Sequence, residues 1–229
     1  MATIKKTDGG IEYLFGLLKE KARTVTRAAF WKIPHKNSGG ISEIEYGFTD
    51  TAKDSGTARF IRITDIDEGG ELINTDKKYV DLTEESKKYL LNKGDILVAR
   101  TGATFGKTLL FNGDEKSIFA SYLIRIQLHI DTILPTYYEV FSRSIGYWGQ
   151  ANSLVTGGGQ PQFNGNALKK IQVPLPPLAI QKQIVKKIES ERALVEGAKK
   201  LIEVYEGRMK ETVGRVWGDG TAISQKKHE

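Results

Sequence analysis

The segment Gly102-Ala103-Thr104-Phe105-Gly106-Lys107-Thr108 has the residue types of a phosphate-binding loop: two glycines, then a lysine and a threonine. A nucleotide-binding loop of this kind needs four residues between its glycines, and only three stand here. Such a loop must also open a helix, whose N-terminus binds the anion. Residues 109–113 instead predict a strand and a turn. The pattern therefore favours a glycine-rich hairpin that presents Thr104 and Lys107 to a nucleic-acid phosphate rather than to ATP.

A second candidate loop, residues 155–164, combines glycines with side-chain amides. Amides of Gln and Asn can bond to an adenine edge through two hydrogen bonds. Glycines let the backbone approach a ligand closely. Gln160, Gln162 and Asn164 are therefore candidate base-reading residues, although such a loop is more often a plain turn.

The charge distribution supports an anionic partner at this second loop. From residue 36 to 177 acids and bases nearly balance, so the overall net charge of +6 is not by itself informative. Residues 140–188, however, contain no Asp or Glu and several Lys and Arg residues. A run of uncompensated positive charge suits a phosphate backbone, and a solvated surface would explain it equally well. The candidate phosphate contacts are Arg143, Lys169 and Lys170.

No other pattern indicates catalysis, a metal site or a cofactor. The acids around Glu85 lie on a predicted short surface helix, and no strand places two carboxylates side by side for Mg²⁺. The sequence has no cysteine, and its three histidines lie far apart. We therefore predict no catalytic residues, no metal, no cofactor and no disulfide. The chain also lacks an apolar run of membrane-spanning length and a signal peptide, so we expect a cytoplasmic protein that does not contact membranes.

The elements that must position these loops predict an α/β (α+β) domain with a mixed or antiparallel sheet, over residues 36–177. A helix is predicted to open at Pro135 and to continue to residue 147, with Tyr138, Phe141 and Ile145 on one side. Residues 1–35 form a separate N-terminal segment with an amphipathic helix at 11–30. The strand predictions rest on short apolar or alternating runs. These runs are residues 60–64, 96–100, 108–111 and 121–128.

Residues 178–217 predict one long helix, followed by a flexible tail at 218–229. Three prolines from Pro174 to Pro177 make an extended connector with no continuing sheet, and Pro177 suits the first helical position. Apolar residues then follow a 4-3 spacing for about four heptads, which is typical of a coiled coil. One small domain cannot easily cover so long a seam, so we expect a partner helix rather than packing on the chain's own domain. The predicted dimer interface is Ile184, Ile188, Val195, Ala198, Ile202, Tyr205 and Met209.

Three segments together resemble the specificity subunits of type I restriction-modification systems. They are residues 94–102, residues 120–126 and, above all, GQPQFNGNALKKIQVPLPPLAIQKQIVKKI at 159–188. The resemblance covers roughly residues 38–206. It implies a non-catalytic target-recognition domain that reads half of a bipartite site on double-stranded DNA. It also implies a modification methyltransferase subunit and a restriction/translocase subunit as partners.

A complete subunit of that family has two recognition domains and two long helices, whereas this chain holds one of each. It therefore looks like a half-subunit, and a homodimer would restore the full frame. One half of a longer gene and a cut-down chain are alternatives. A different class of function is an interaction adaptor that binds protein and dimerises through its helix, and an enzyme with an unseen site is a third.

Overall fold

The computed structural model describes residues 30–32, 41–157 and 161–217. The tail at 218–229, Gln160 and residues 11–29 of the predicted helix at 11–30 lie outside the described residues. Phe30, the last residue of that predicted helix, instead begins a strand. Contacts divide the chain into two units, Met1–Val185 and Lys186–Glu229.

The described strands are β1 Phe30–Lys32, β2 Ile41–Tyr46, β3 Ala58–Ile61, β4 Tyr79–Val80, β5 Ile96–Ala99, β6 Thr108–Leu110, β7 Ser117–Phe119, β8 Leu123–Leu128 and β9 Gln172–Pro174.

A four-stranded sheet in the order β2-β8-β5-β6 forms the centre of the first unit. All of its neighbouring strands are antiparallel. A three-stranded sheet in the order β4-β3-β7 is mixed, since β3 pairs antiparallel with β4 and parallel with β7. The predicted α/β (α+β) fold with a mixed or antiparallel sheet is confirmed.

The core lies where residues of these two sheets meet. The continuous apolar run of β5 is fully buried, as expected for a strand that is covered on both faces. One apolar cluster joins side chains of β3, β5, β6, β7 and β8 with those of the adjoining loops. Its buried members are Ile61, Ile66, Leu97, Ala99, Leu109, Phe111, Phe119 and Leu123.

The strand predicted at residues 60–64 is displaced. The observed β3 ends at Ile61, and Ile63–Asp65 form a 3-10 helix that begins where the Asp65 carboxylate accepts a hydrogen bond from Arg62 N at 2.9 Å. All four residues of β3 are buried, including Arg59. The alternation at 60–64 would mark a half-buried strand, whereas β3 is central and covered on both faces, so the alternation was misleading.

The helix predicted at 135–147 is two helices, α1 Pro135–Ser142 and α2 Ile145–Leu154. Ser144 separates them, because its hydroxyl caps α2 by accepting from Tyr147 N at 3.2 Å. Tyr138 and Phe141 are buried as expected, but Ile145 is 52% exposed and does not share their face. A short third helix, α3 Gly165–Leu168, follows the 155–164 loop.

The expectation of no continuing sheet at the prolines is wrong. Residues 172–174 form β9, which pairs antiparallel with β1 and sets Trp31 opposite Val173. Pro174 is the last residue of β9, where a missing N–H costs little.

The long helix α4 runs over Leu178–Trp217, as predicted from the sequence. Its first turns belong to the first unit. There Gln181 is fully buried and its amide bonds Leu134 N, Thr132 O and Pro176 O, each at 2.9 Å. These three bonds satisfy a buried polar group and fix where the helix starts.

Candidate nucleic-acid interface

The two candidate loops lie side by side at one end of the four-stranded sheet. Beyond β5, Thr101 forms a β-bridge with Gln162. Gly102 N donates to Pro161 O at 3.1 Å, and Phe163 N donates to Arg100 O at 2.7 Å. Loops far apart in sequence therefore form one surface, which we call the joined-loop surface and define as residues 100–107 and 161–166.

The loop between β5 and β6 is a fixed hairpin connection. Gly102 and Gly106 have φ angles of +70° and +76°, which a residue with a side chain adopts only with strain. Gly106 N donates to Ala99 O at 2.7 Å, and the Tyr147 hydroxyl donates to Gly106 O at 2.9 Å. Burial raises the pKa of Tyr147 above its ordinary value, which keeps this donor protonated. The strand β6 follows, as predicted, in place of the helix that a nucleotide-binding loop requires.

Thr104 and Lys107 both lie on this connection, and both are half-buried. The Thr104 hydroxyl donates to Thr101 O at 3.3 Å, so its proton is used within the loop. Among the described residues, the Lys107 ammonium has no hydrogen bond and no ion pair. Lys107 is therefore the member of this pair that is available to an anion.

The amides of the second loop have structural partners. Gln162 Nε2 donates to Thr101 Oγ1 at 2.9 Å, and Asn164 Oδ1 caps α3 by accepting from Ala167 N at 3.0 Å. Each amide therefore has one of its groups engaged, which orients it and reduces what it offers to a base edge. Base reading by Gln162 and Asn164 stays a prediction, and Gln160 is outside the described residues.

The three predicted phosphate contacts differ in how free they are. Arg143 follows α1 and forms ion pairs with Glu139 and, at 3.0 Å, with Glu71. Its charge is thus neutralised within the domain, which weakens the case for a phosphate contact. Lys169 and Lys170 directly follow α3, and neither has an ion pair within the described residues. They add positive charge beside the joined-loop surface.

Three residues at this surface were missed by the sequence analysis: Tyr46, Arg100 and Tyr122. The Arg100 guanidinium lies over the Tyr46 ring, 5.1 Å from its centroid, and Arg100 N donates to Tyr122 O at 3.0 Å. Tyr46 and Tyr122 are 42% and 53% exposed. No local signal could have grouped them, because strand pairing brings together the end of β2, the residue after β5 and the turn before β8.

The seam residues of α4 fall into two groups. Ile184 and Ile188 are 8% and 5% exposed, so they are covered within a single chain and offer a partner little surface. From residue 193 onward the helix is exposed almost throughout. The exposed members of the predicted interface are Val195, Ala198, Ile202, Tyr205 and Met209.

The described residues contain neither a metal-binding cluster nor a membrane-spanning helix. No group of three or more His, Asp or Glu side chains there is arranged to hold a metal ion. None of the described helices is both long enough and apolar enough to cross a bilayer.

The family model for the type I restriction modification DNA specificity domain matches residues 31–204. The chain belongs to this family. The curated relatives include the StySPI specificity subunit of Salmonella potsdam, which is 29% identical over 135 residues, or 56% of this chain and 29% of that one. The EcoKI specificity subunit of Escherichia coli strain K12 is 27% identical over 161 residues, which are 65% of this chain and 33% of that one.

Solved structures share the fold of this specificity-domain chain. The HsdS subunit from Thermoanaerobacter tengcongensis matches with a TM-score of 0.53 and 18% identity, over 74% of this chain and 46% of that one. A chain from a structure on complex assembly and conformational transition of the type I R-M system matches with a TM-score of 0.59 and 18% identity. This match covers 86% of this chain and 53% of that one. The chain thus spans about a third of its curated relatives and about half of these solved chains.

The resemblance inferred from three sequence segments is therefore confirmed at the level of the family. Its relatives are specificity subunits, the non-catalytic class of these enzymes, which agrees with the expectation that this chain is not an enzyme. The individual roles assigned to residues of the joined-loop surface and of α4 stay predictions.

Proposed function

We propose that this chain recognises one half of a bipartite site on double-stranded DNA and directs a modification methyltransferase subunit to it. A restriction/translocase subunit would join the same complex. The observation that carries the proposal is the joined-loop surface, where two glycine-containing loops are bonded together beside cations that have no carboxylate partner within the described part of the chain. Glycines allow a close approach to DNA, and cations hold its phosphates.

The joined-loop surface contains residues suited to two roles: holding DNA phosphates and recognising bases. Lys107, Lys169 and Lys170 would fix the domain on phosphates, a contribution that depends on salt and not on sequence. The amides of Gln160, Gln162 and Asn164 would contact base edges, which carry the sequence information. The assembled type I R-M system from which one structural relative comes supports the proposed partner subunits.

We further propose that two copies of the chain act together as a homodimer through α4. The support is the apolar seam from Val195 to Met209, which is exposed in the single chain. Two copies related by a two-fold axis would present two identical recognition domains. The DNA site would then be symmetric, with a spacer whose length is set by the paired helices.

Methylome sequencing of cells that carry the chain with its modification subunit tests the proposal. We expect methylation at a symmetric, bipartite sequence, and loss of that methylation when the chain is deleted. An asymmetric or continuous methylated site would contradict the homodimer but not DNA recognition. Unchanged methylation after deletion would contradict both and would favour the adaptor.

A further inference from the structure

Arg100 is the exception among the described arginines of the first unit. Residues 41–185 contain five, and four of them bond carboxylates, amides or carbonyls within the protein. These four are Arg59, Arg62, Arg125 and Arg143. Among the described residues Arg100 alone of the five has no hydrogen bond and no ion pair from its side chain. We propose that Arg100, stacked on Tyr46, is a preformed binding site for a DNA backbone phosphate; the inference rests on the proposed function.

The guanidinium is held in place by an aromatic ring that is itself fixed. The Tyr46 hydroxyl accepts a hydrogen bond from Gly165 N at 2.9 Å, which ties the ring to the start of α3. A Cβ on Gly165 would lie 3.1 Å from that hydroxyl, so the glycine allows the close approach. With the guanidinium carbon 5.1 Å from the ring centroid, Arg100 is oriented by a cation–π contact and not by a carboxylate.

The stacking leaves hydrogen-bonding capacity unused. Arg100 Nε is buried without an acceptor. The two terminal nitrogens likewise have no partner among the residues that the structure describes, yet they are not among the buried unsatisfied atoms, so they reach solvent. A guanidinium that is partly desolvated and unpaired in the free protein gains more binding free energy from an anionic acceptor than a fully hydrated guanidinium does.

Among the described residues, no carboxylate forms an ion pair with Arg100. Glu45, the acid nearest to Tyr46 in sequence, lies one residue along β2, where alternation puts it on the other face, and it pairs with Arg125. Tyr46, Arg100, Tyr122 and Gly165 each lie in a chain segment without Asp or Glu. These segments are residues 46–49, 96–113, 116–130 and 161–171.

The degree of burial favours a phosphate over a base edge. Arg100 is half-buried, so it meets only groups that project from the surface of its partner. Base edges lie at the floor of a major groove roughly 8.5 Å deep, whereas phosphate oxygens project outward. A planar guanidinium also matches two phosphate oxygens at once, which a lysine cannot do.

The test measures binding of the purified chain to mixed-sequence 30-base-pair duplexes by fluorescence anisotropy across a salt series. Arg100→Gln should weaken binding about tenfold for every duplex and lower the salt slope by about 0.9, the value for one lost phosphate contact. Arg100→Lys should keep the slope but bind more weakly than wild type, because it lacks the planar fork. Tyr46→Leu should lower the affinity and the salt slope as Arg100→Gln does, but by a smaller amount. Tyr46→Phe, which keeps the ring, should retain most of the affinity.

The matched control is Lys93→Ala, which removes one positive charge at the opposite end of β5. Lys93 is 61% exposed and pairs with Asp114, so its loss should change affinity less than twofold. Thermal melting confirms that each variant is folded.

Unchanged affinity and salt slope in Arg100→Gln would overturn the inference. An effect confined to certain sequences at an unchanged slope would also overturn it, because that result would indicate base reading. If wild type and Lys93→Ala bind no duplex even at low salt, the proposed DNA recognition fails as well.

Discussion

Gln162 illustrates how a residue chosen for base recognition can first be needed by the fold. Its side chain lies against Thr101, which is 4% exposed, and the bond between them joins the two loops. We expect Gln162→Ala to lower the free energy of unfolding by about 1 kcal/mol, the usual net value of one hydrogen bond. Thr101→Val should cost a similar amount, and chemical denaturation of the double variant should show less than the sum of the two losses.

The base-reading role of Gln162 is tested separately. If its amide also contacts a base, Gln162→Ala should relax methylation at one position of the site while Thr101→Val leaves the preference unchanged. Equal relaxation in both variants would mean that the loop geometry, and not the amide, determines that position. Fully additive stability losses would show that the bond between the two side chains contributes little.

Lys107 is the residue that separates the two interpretations of the glycine-rich segment. Lys107→Ala should weaken binding to all DNA sequences alike and lower the salt slope by about one phosphate contact. Neither wild type nor the variant should bind ATP, because the segment joins two antiparallel strands and does not open a helix. Calorimetry with Mg-ATP checks the second point: tight binding by wild type that disappears in Lys107→Ala would restore the nucleotide-binding interpretation.

At the scale of single residues, the sequence located two loops that the structure contains, but not the bonds that join them. Residue type and spacing were enough to place Thr104, Lys107 and Gln162 on two glycine-containing loops. The bridge from Thr101 to Gln162 and the stacking of Arg100 on Tyr46 depend on pairing between distant strands. Such contacts have no local pattern, so a single sequence does not contain a readable signal for them.

Among the elements, the long helix α4 gives the clearest test of self-association. Ile202 lies on the exposed seam, and Val204, two residues on, lies on nearly the opposite side of the helix. Ile202→Asp should dissociate the dimer, because burying an unpaired charge at a helix pair costs several kcal/mol. Light scattering should report the mass of a monomer for this variant and of a dimer for wild type.

Val204→Asp is the matched control for that experiment. It places the same side chain on the same helix, so its effect on helix propensity is similar, but it lies away from the seam. We expect the dimer mass to be retained. If both variants keep the wild-type mass, the seam is not the interface, and if both lose it, the loss reflects the helix and not the seam.

Elements were predictable where one repeated pattern dominates over many residues. The apolar spacing of α4 repeats for about four heptads, and the bounds of this forty-residue helix came out almost as expected. The strand predicted at 60–64 and the helix predicted at 135–147 rested on short patterns, which burial on both faces of β3 and one capping serine were enough to alter. The pairing of β9 with β1 was missed because prolines were taken to end all sheet structure.

For the whole molecule, the proposed homodimer makes the DNA spacer a function of helix length. Deleting residues 200–206 removes one heptad and so preserves the seam while shortening the helix by about 10.5 Å. We expect the two half-sites to keep their sequences and the spacer between them to shorten by about three base pairs. Methylome sequencing with the modification subunit reads both features at once. A changed half-site or an unchanged spacer would argue against helices that set the distance.

The pairing of β1 with β9 also bears on the order in which the chain folds. Trp31 stands opposite Val173, so this ladder closes a loop of about 140 residues, and contacts of such long range form slowly. During synthesis β1 emerges early but has no partner until residue 174 has left the ribosome, just before α4 begins. Until then β1 exposes an unpaired edge, which is where we expect a stalled or truncated chain to aggregate.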